Sequence, residues 1–277
     1  MRKVVCLGGG NAMPKAVLAQ IKNEKIDLSV ISATLDSGGS SGKLRRDFNI
    51  IAVGDMRRAF LELSPLRKSL DYRFKNGHNL LNLIMAVILI KEKDPVNALN
   101  DFFKPKFRVL PATLDNVNLC ALLFNGEIVK GETNIDIPKH DSKIKEVFLD
   151  KKAFVFEESY REFLKADFII IGPGDLYSSL IQILLVTGIK EAIKKSKAKI
   201  IYICNLENKK GETDDFTVSD FEKEIEKYLE RDLDYIIFNN NKKVDFVQFN
   251  AYNDSKHIGI DLYSSSELIK KLRELII

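Results

Sequence analysis

Lys3-Val4-Val5-Cys6-Leu7-Gly8-Gly9-Gly10-Asn11 and Phe168-Ile169-Ile170-Ile171-Gly172-Pro173-Gly174-Asp175-Leu176-Tyr177-Ser178-Ser179 share one pattern: a short apolar β run, a glycine-rich turn, then the start of a helix. Without a Cβ in the way, such turns point backbone N–H groups inward, and a following helix N-terminus adds positive potential. Two further loops carry similar clusters, Asp36-Ser37-Gly38-Gly39-Ser40-Ser41-Gly42 and Gly77-His78-Asn79. Several such loops on one chain suggest a cleft for a ligand that carries phosphate.

Working outward, Pro14 suits the first turn of a helix reaching about Asn23, and residues 28–33 read as a second strand. Gly54-Asp55 opens a helix through Leu63. Residues 78–91 are apolar almost all round, which predicts a helix sandwiched between layers, and residues 95–103 form another short helix. The middle changes character. Residues 119–124, the pair Asn125-Gly126 and residues 127–130 predict a hairpin with a type I′ turn, within an antiparallel insertion around 112–155. After Ala166 strand–helix alternation returns, with strands at 168–171, 199–204, 235–238 and 258–262 and helices from Tyr177 and from Thr187 to Ser196. Ser219 is placed to cap a helix to Leu229, and Ser264-Ser265-Ser266-Glu267 reads as a capping box for the last one. The expected fold is therefore α/β, a Rossmann-like doubly wound and mainly parallel sheet with an antiparallel hairpin insertion, spanning 1–277 as a single domain. Its ligands belong at the carboxyl ends of the strands.

At 277 residues the chain can bury a substantial core; 45% hydrophobic and 30% charged residues describe a globular protein. A net charge of +4 is too small to imply nucleic acid. The basic residues cluster, however: Lys43, Arg45, Arg46, Arg57, Arg58, Arg67, Lys68, Arg73 and Lys75 form either a solvated surface or, in part, a set facing an anionic ligand. Cys6, Cys120 and Cys204 sit in apolar contexts without CxxC spacing, which predicts buried reduced thiols and a cytoplasmic protein. No signal peptide is expected, and residues 80–90 are too short an apolar run to span a bilayer.

Two phosphate fingerprints fail. Met13 stands where the dinucleotide signature needs its third glycine, and Gly38-x-x-x-Gly42-Lys43-Leu44 is one residue short of a Walker loop and lacks its hydroxyl. Asp36, at the end of the second strand, suits a ribose hydroxyl, a metal, or an Asx cap of its own loop. Asp55 and Asp175 follow glycines at helix starts, where an aspartate is common as an N-cap. His78 reads more readily as a hydrogen-bonding residue than as a general base. Asn79 and Asn82 share a helix face and need partners there, from backbone or ligand. No Cys/His metal cluster and no hydrolytic triad is visible.

Gly8-Gly9-Gly10, then Leu35-Asp36-Ser37-Gly38-Gly39-Ser40-Ser41-Gly42-Lys43-Leu44-Arg45, then Gly54-Asp55-Met56-Arg57 resemble the YvcK-like gluconeogenesis factors within the wider YvcK/CofD-like group. The resemblance continues in order through Gly77-His78-Asn79-Leu80-Leu81-Asn82, Val109-Leu110-Pro111-Ala112-Thr113, Gly131-Glu132, Gly172 to Ser179, Cys204-Asn205, Gly211-Glu212-Thr213-Asp214 and Asn239-Asn240. It implies a Rossmann-like fold that binds UDP-sugars such as UDP-N-acetylglucosamine, with links to central carbon use and to cell-wall synthesis or cell shape. The CofD branch implies instead a transferase moving a phospholactyl-type group from a guanine nucleotide onto a deazaflavin precursor. Two positions depart from the pattern. Asn11-Ala12 replaces Thr-Gly in the first loop, and Asp36-Ser37 replaces two adjacent aspartates, a loss that weakens metal-assisted transfer in particular.

Carried onto this sequence, the ligand-binding positions are Gly8, Gly9, Gly10 and Asn11; Asp36, Ser37, Gly38, Gly39, Ser40 and Arg45; Asp55 and Arg57; His78, Asn79 and Asn82; Thr113; Gly172, Pro173, Gly174, Asp175, Leu176, Tyr177, Ser178 and Ser179; and Asn205. The first and last glycine loops would cradle a diphosphate with the Ser178 and Ser179 hydroxyls. Arg45 or Arg57 would add charge, Asp36, Asn79 and Asn205 would select hydroxyls, and Tyr177 would stack on uracil or pack in the core. The leading reading is a non-catalytic nucleotide-sugar-binding regulator that needs no cofactor. The second is a transferase, with Mg2+ on Asp36 or Asp55; the third is an NAD-linked oxidoreductase. No assembly surface can be read from the sequence; edge strands near residues 119–130 are candidate contact sites, and a homo-oligomer is one candidate assembly.

Overall fold

The computed structural model describes residues 1–66, 68–240, 255–262 and 264–277. Strands β1 (Arg2–Gly8), β2 (Ile26–Ser32) and β3 (Arg108–Pro111) pair in parallel on one side. On the other side, β7 (Phe168–Ile171), β8 (Lys199–Ile203), β9 (Tyr235–Asn239) and β10 (His257–Ile260) continue the parallel pairing. The order is β10-β9-β8-β7-β1-β2-β3. The chain thus builds outward from β1 in one direction, returns, and builds outward from β7 in the other, so the loops after β1 and β7 part at a topological switch point.

Burial on both faces explains why these strands read as continuous apolar runs. Val4, Cys6, Val30, Ile170, Ile201 and Ile237 enter one core; Val5, Leu7, Ile31, Ile169, Ile171, Ile200, Tyr202 and Ile236 enter the other. Odd and even positions separate because successive side chains on a strand point to opposite faces. All three cysteines are buried, and none is in a disulfide. No helix among the described residues is long and apolar enough to cross a membrane.

Helices α1 (a π turn, Pro14–Leu18, continuing as Ala19–Ile21), α2 (Gly39–Phe48), α3 (Gly54–Leu63), α4 (Leu80–Lys91) and α5 (Pro95–Phe103) belong to the first half. The sandwiched position expected of residues 78–91 is not observed. Leu81, Met85 and Ala86 are buried, but Val87 is 58% and Ile90 43% exposed, so α4 is an outer helix with an apolar outward face. It also starts two residues late, because Asn79 accepts from the Leu81 and Asn82 N–H groups and caps it.

The predicted hairpin is present as part of a larger unit. β4 (Leu119–Leu123) pairs antiparallel with β5 (Ile128–Lys130) and also with β6 (Ile144–Leu149), forming a separate three-stranded sheet. Its turn is not type I′. Gly126 alone takes the left-handed conformation, at φ +88°, while its N–H donates to the Leu123 carbonyl and the Leu123 N–H to that of Glu127. This is a type I turn closed by a glycine bulge, which supplies the strand twist with one positive φ instead of two. Helix α6 (Glu132–Asp136) follows β5 and carries the lobe back toward the main sheet.

The second half holds α7 (Glu157–Lys165), α8 (a π segment, Leu176–Ile181, continuing as Gln182–Leu184), α9 (Ile189–Lys195), α10 (Val218–Leu229) and α11 (Ser265–Ile276). Two caps differ from expectation. Thr217, not Ser219, caps α10 in a reciprocal box with Asp220. Ser264 makes no side-chain cap to α11; Glu267 reaches back to the Asp261 N–H at 2.9 Å.

Candidate functional site

A cleft of about 950 Å3 opens at the carboxyl ends of the strands, across the switch point. That volume lies at the upper end of the range used for small-molecule sites. Its floor is made by the loops after β1, β2, β7 and β8, its sides by the starts of α2 and α3 and by α11, and its roof by α6 of the small lobe.

Of the predicted positions, Gly9, Gly10, Asn11, Asp36, Gly38, Gly39, Ser40, Asp55, Arg57, Asn82, Pro173, Gly174, Asp175, Ser179 and Asn205 line this cleft. The first loop approaches Asp55 closely. Gly10, at φ +67°, donates its N–H to Asp55 Oδ1 at 3.0 Å, and a Cβ on Gly9 would lie 2.4 Å from Asp55 Oδ2. Asp55 is therefore no helix cap: it holds the β1 loop and pairs with Arg58 one turn along α3. Burial raises its pKa, Arg58 opposes that, and Asp36 adds to it. Asp36 forms the Asx turn, its Oδ1 accepting from the Gly38 N–H at 2.8 Å.

Gly8, Ser37, Arg45, His78, Asn79, Thr113, Gly172, Leu176, Tyr177 and Ser178 do not line the cleft. Each has another task. The N–H groups of Tyr177 and Ser178, at the start of α8, donate to Glu212 Oε2 at 3.1 and 3.4 Å, and the Ser178 hydroxyl donates to Glu212 Oε1 at 2.5 Å. Glu212 is 4% exposed. The protein's own carboxylate thus occupies the helix N-terminus that a diphosphate was expected to use. The Tyr177 ring is buried and its hydroxyl donates to Glu224 at 3.2 Å, so it packs in the core instead of stacking on a base. Arg45 is also internal. Its guanidinium donates to the carbonyls of Leu35 (2.7 Å) and Val117 (2.5 Å) and to Asn116 Oδ1 (2.9 and 2.7 Å). Asn79 is the α4 cap and donates to Asp71, and His78 Nδ1 lies 3.3 Å from the Ser40 hydroxyl. Ser37 Oγ accepts from the Thr133 N–H at 2.9 Å, tying the lobe to the second loop. The Thr113 hydroxyl accepts from the Asp115 N–H and turns its own loop. Leu176 and Gly172 are, respectively, core and the left-handed turn leaving β7 (φ +78°).

The basic stretch divides. Arg57, Arg58 and Arg73 line the cleft, Lys43 and Arg46 donate to the Asn76 and Ser37 carbonyls, and Arg67 lies outside the described residues. Arg57 is 6% exposed and pairs with Asp71. Burial lowers its pKa and Asp71 opposes the shift.

Arg58, Arg73, Glu132, Thr133, Asp136, Leu206 and Leu262 also line the cleft but are not among the ligand-binding positions read from sequence, where Arg58 and Arg73 stand only in the basic stretch and Glu132 only in the family resemblance. Arg58 carried a signal, an Asp-x-x-Arg spacing with Asp55. The lobe residues carried none, being brought in from about a hundred residues away. Lys209 bridges the lobe and the floor, pairing with Asp136, with Asp175 at 2.8 Å and with Glu212 at 3.5 Å. Burial works against its charge, but Glu212 and the two aspartates raise its pKa.

Glu132 faces Asp36 and Asp136, and burial together with those neighbours raises its pKa to about 8. The folded protein therefore keeps a proton that the unfolded chain loses near 4.5. With more protons on the folded state between these values, this residue's contribution makes stability fall as pH rises from about 5 to about 8. Glu132→Gln is expected to melt close to wild type at pH 5 and several degrees higher than wild type at pH 8.5, because the glutamine has no proton to exchange on folding. Parallel pH–melting curves would remove Glu132 from the titrating set.

Fold and cleft together define a doubly wound α/β protein with a polar cleft at its switch point. The chain belongs to the CofD family, whose profile, described as 2-phospho-L-lactate transferase CofD, matches residues 4–276. It is 41% identical over 252 residues to a Thermotoga maritima protein named "Putative gluconeogenesis factor", covering 87% of this chain and 79% of that one. It is 38% identical over 232 residues to the "Gluconeogenesis factor" of Halalkalibacterium halodurans, covering 79% and 71%. The crystal structure of a UPF0052 family member from Bacillus halodurans superposes with a TM-score of 0.90 at 31% identity, over 99% of this chain and 100% of that one.

Proposed function

We propose that the cleft binds a nucleotide-sugar of the UDP-N-acetylglucosamine type, and that the protein is a non-catalytic regulator connecting that ligand to central carbon use and cell-wall synthesis. One observation carries the reading: the glycine loops after β1 and β7 lie side by side and line a single cleft that also holds Arg58, with Arg57 and Arg73 toward one end. Such a site offers a diphosphate close backbone approach and a cationic partner in Arg58, at the position where doubly wound sheets bind nucleotides. The relatives' printed name supports the metabolic side.

A transferase is the second reading, favoured by the family's description and by the Asp36, Asp55, Glu132 and Asp136 carboxylates in the same cleft. Those carboxylates do not fit Mg2+ well as arranged. Asp55 is committed to Gly10 and Arg58, and among the described residues no three acidic, histidine or cysteine side chains converge as a metal-holding group.

Calorimetric titration with UDP-N-acetylglucosamine, with and without Mg2+, beside GDP and NAD, tests the reading. Selective uptake of the UDP-sugar, recovered unchanged by mass after hours, is expected. Preference for GDP with strict Mg2+ dependence would replace it with the transferase.

A further inference from the structure

The sheet order gives the cleft two chemically different ends. Toward β8 and β10 its wall carries Ala12 and Ala16 of the β1–α1 segment, Leu206 after β8, Leu262 after β10 and Leu268 of α11, with Lys15 and Glu207 beside them. Leu206 and Leu262 are half-buried, so they keep apolar surface facing the opening. Toward β2 and β3 the wall is Arg57 and Arg58 of α3, Arg73, and Asn82 of α4.

Two polar atoms on residues at that second end have no partner among the described residues. Arg57 Nε is a buried donor without an acceptor, and Asn82 Oδ1, on a residue 3% exposed, is a buried acceptor without a donor. Buried polar atoms left unpaired are costly, so an occupant that satisfies them gains accordingly. One is a donor and the other an acceptor, on packed neighbouring helices, and the hydroxyls of a sugar, which both accept and donate, can serve each of them. A phosphate oxygen could take the Arg57 hydrogen but would face the Asn82 lone pairs. A nucleobase edge also carries donors and acceptors, but its flat ring faces are apolar and suit the aliphatic side chains at the other end, whereas a sugar has no such faces.

Resting on the nucleotide-sugar reading above, we infer that the ligand lies in one direction: the base against Leu206 and Leu262, the diphosphate over the glycine loops, and the hydroxylated sugar in the Arg57–Asn82 end.

The test compares UDP-N-acetylglucosamine with UDP by calorimetry on the full chain. Asn82→Ala removes the acceptor, Arg73→Ala changes the same end at an exposed residue whose guanidinium donates to the Gly77 carbonyl, and Leu206→Asp changes the other end. The first two are expected to lower the ratio of UDP-sugar to UDP affinity about tenfold. Leu206→Asp is expected to weaken both ligands at least tenfold and leave the ratio within twofold. Should Asn82→Ala unfold the chain, Arg73→Ala alone decides. A ratio that moves with Leu206→Asp and not with Arg73→Ala overturns the direction while keeping the nucleotide-sugar reading. Absence of binding by the wild-type chain overturns both.

Discussion

Gly9→Val is expected to reduce nucleotide-sugar binding at least 100-fold while the chain still unfolds cooperatively. A Cβ at Gly9 would sit 2.4 Å from Asp55 Oδ2 and 3.1 Å from the Ala33 Cβ, distances at which Asp55 must move. Moving Asp55 releases the Gly10 N–H and Arg58 together, and so disturbs the first loop and the cationic wall in one step. Gly174→Val should act similarly from the opposite loop, where Leu180 and Ser179 stand 3.2 and 3.3 Å from the new Cβ. Gly8→Ala makes the contrast: its Cβ would meet Met13 and Leu180 at 3.5–3.6 Å, ordinary contact, and affinity should stay within threefold. Titration of the three variants beside thermal melts checks the set. Near-wild-type binding by Gly9→Val would show that the β1 loop is structural only.

Arg45→Met is expected to be the most damaging substitution to the fold and to leave ligand affinity within about twofold where the protein remains folded. The side chain of Arg45 is buried at 4% exposure and satisfies the Leu35 and Val117 carbonyls and the Asn116 amide oxygen, so it joins α2 to the loop entering the small lobe. A methionine fills much of the volume but leaves those acceptors unpaired, at about 3 kcal/mol. For a chain of this size that corresponds to a melting temperature lower by roughly 6–12 °C. A large loss of affinity with an unchanged melting temperature would return Arg45 to the ligand, where its position in the sequence had suggested it.

The correction at Arg45 has the same origin as those at Ser178 and Tyr177. Each lies within a glycine- or serine-rich run whose other members do line the cleft, and a loop entering a helix sends alternate groups inward and outward. The run Gly172 to Ser179 divides this way: Pro173, Gly174, Asp175 and Ser179 face the opening, while Leu176, Tyr177 and Ser178 turn toward α10 and Glu212. Nothing local distinguishes the two sets, because Glu212 arrives from a different loop. β6 escaped for a local reason. Its register with β4 shifts at Leu122/Leu123, and of its six residues only Ile144 and Val147 are buried, three apart, so the two-residue alternation that marks a strand is lost.

What the sequence by itself determined is the part set by short-range rules: apolar β runs of four to seven residues, helices opened by glycine, proline and aspartate, and hence a parallel sheet wound in two directions from β1 with glycine loops at its carboxyl ends. The tertiary structure alone decided which side of each loop meets solvent, that α6 closes over the second loop, that Glu212 fills the start of α8, and that Arg57 and Asn82 end the cleft with an unpaired donor and an unpaired acceptor. Those outcomes depend on contacts between residues tens to more than a hundred positions apart. Burial and charge compensation act on the neighbours a side chain meets in space, and residue order does not display them.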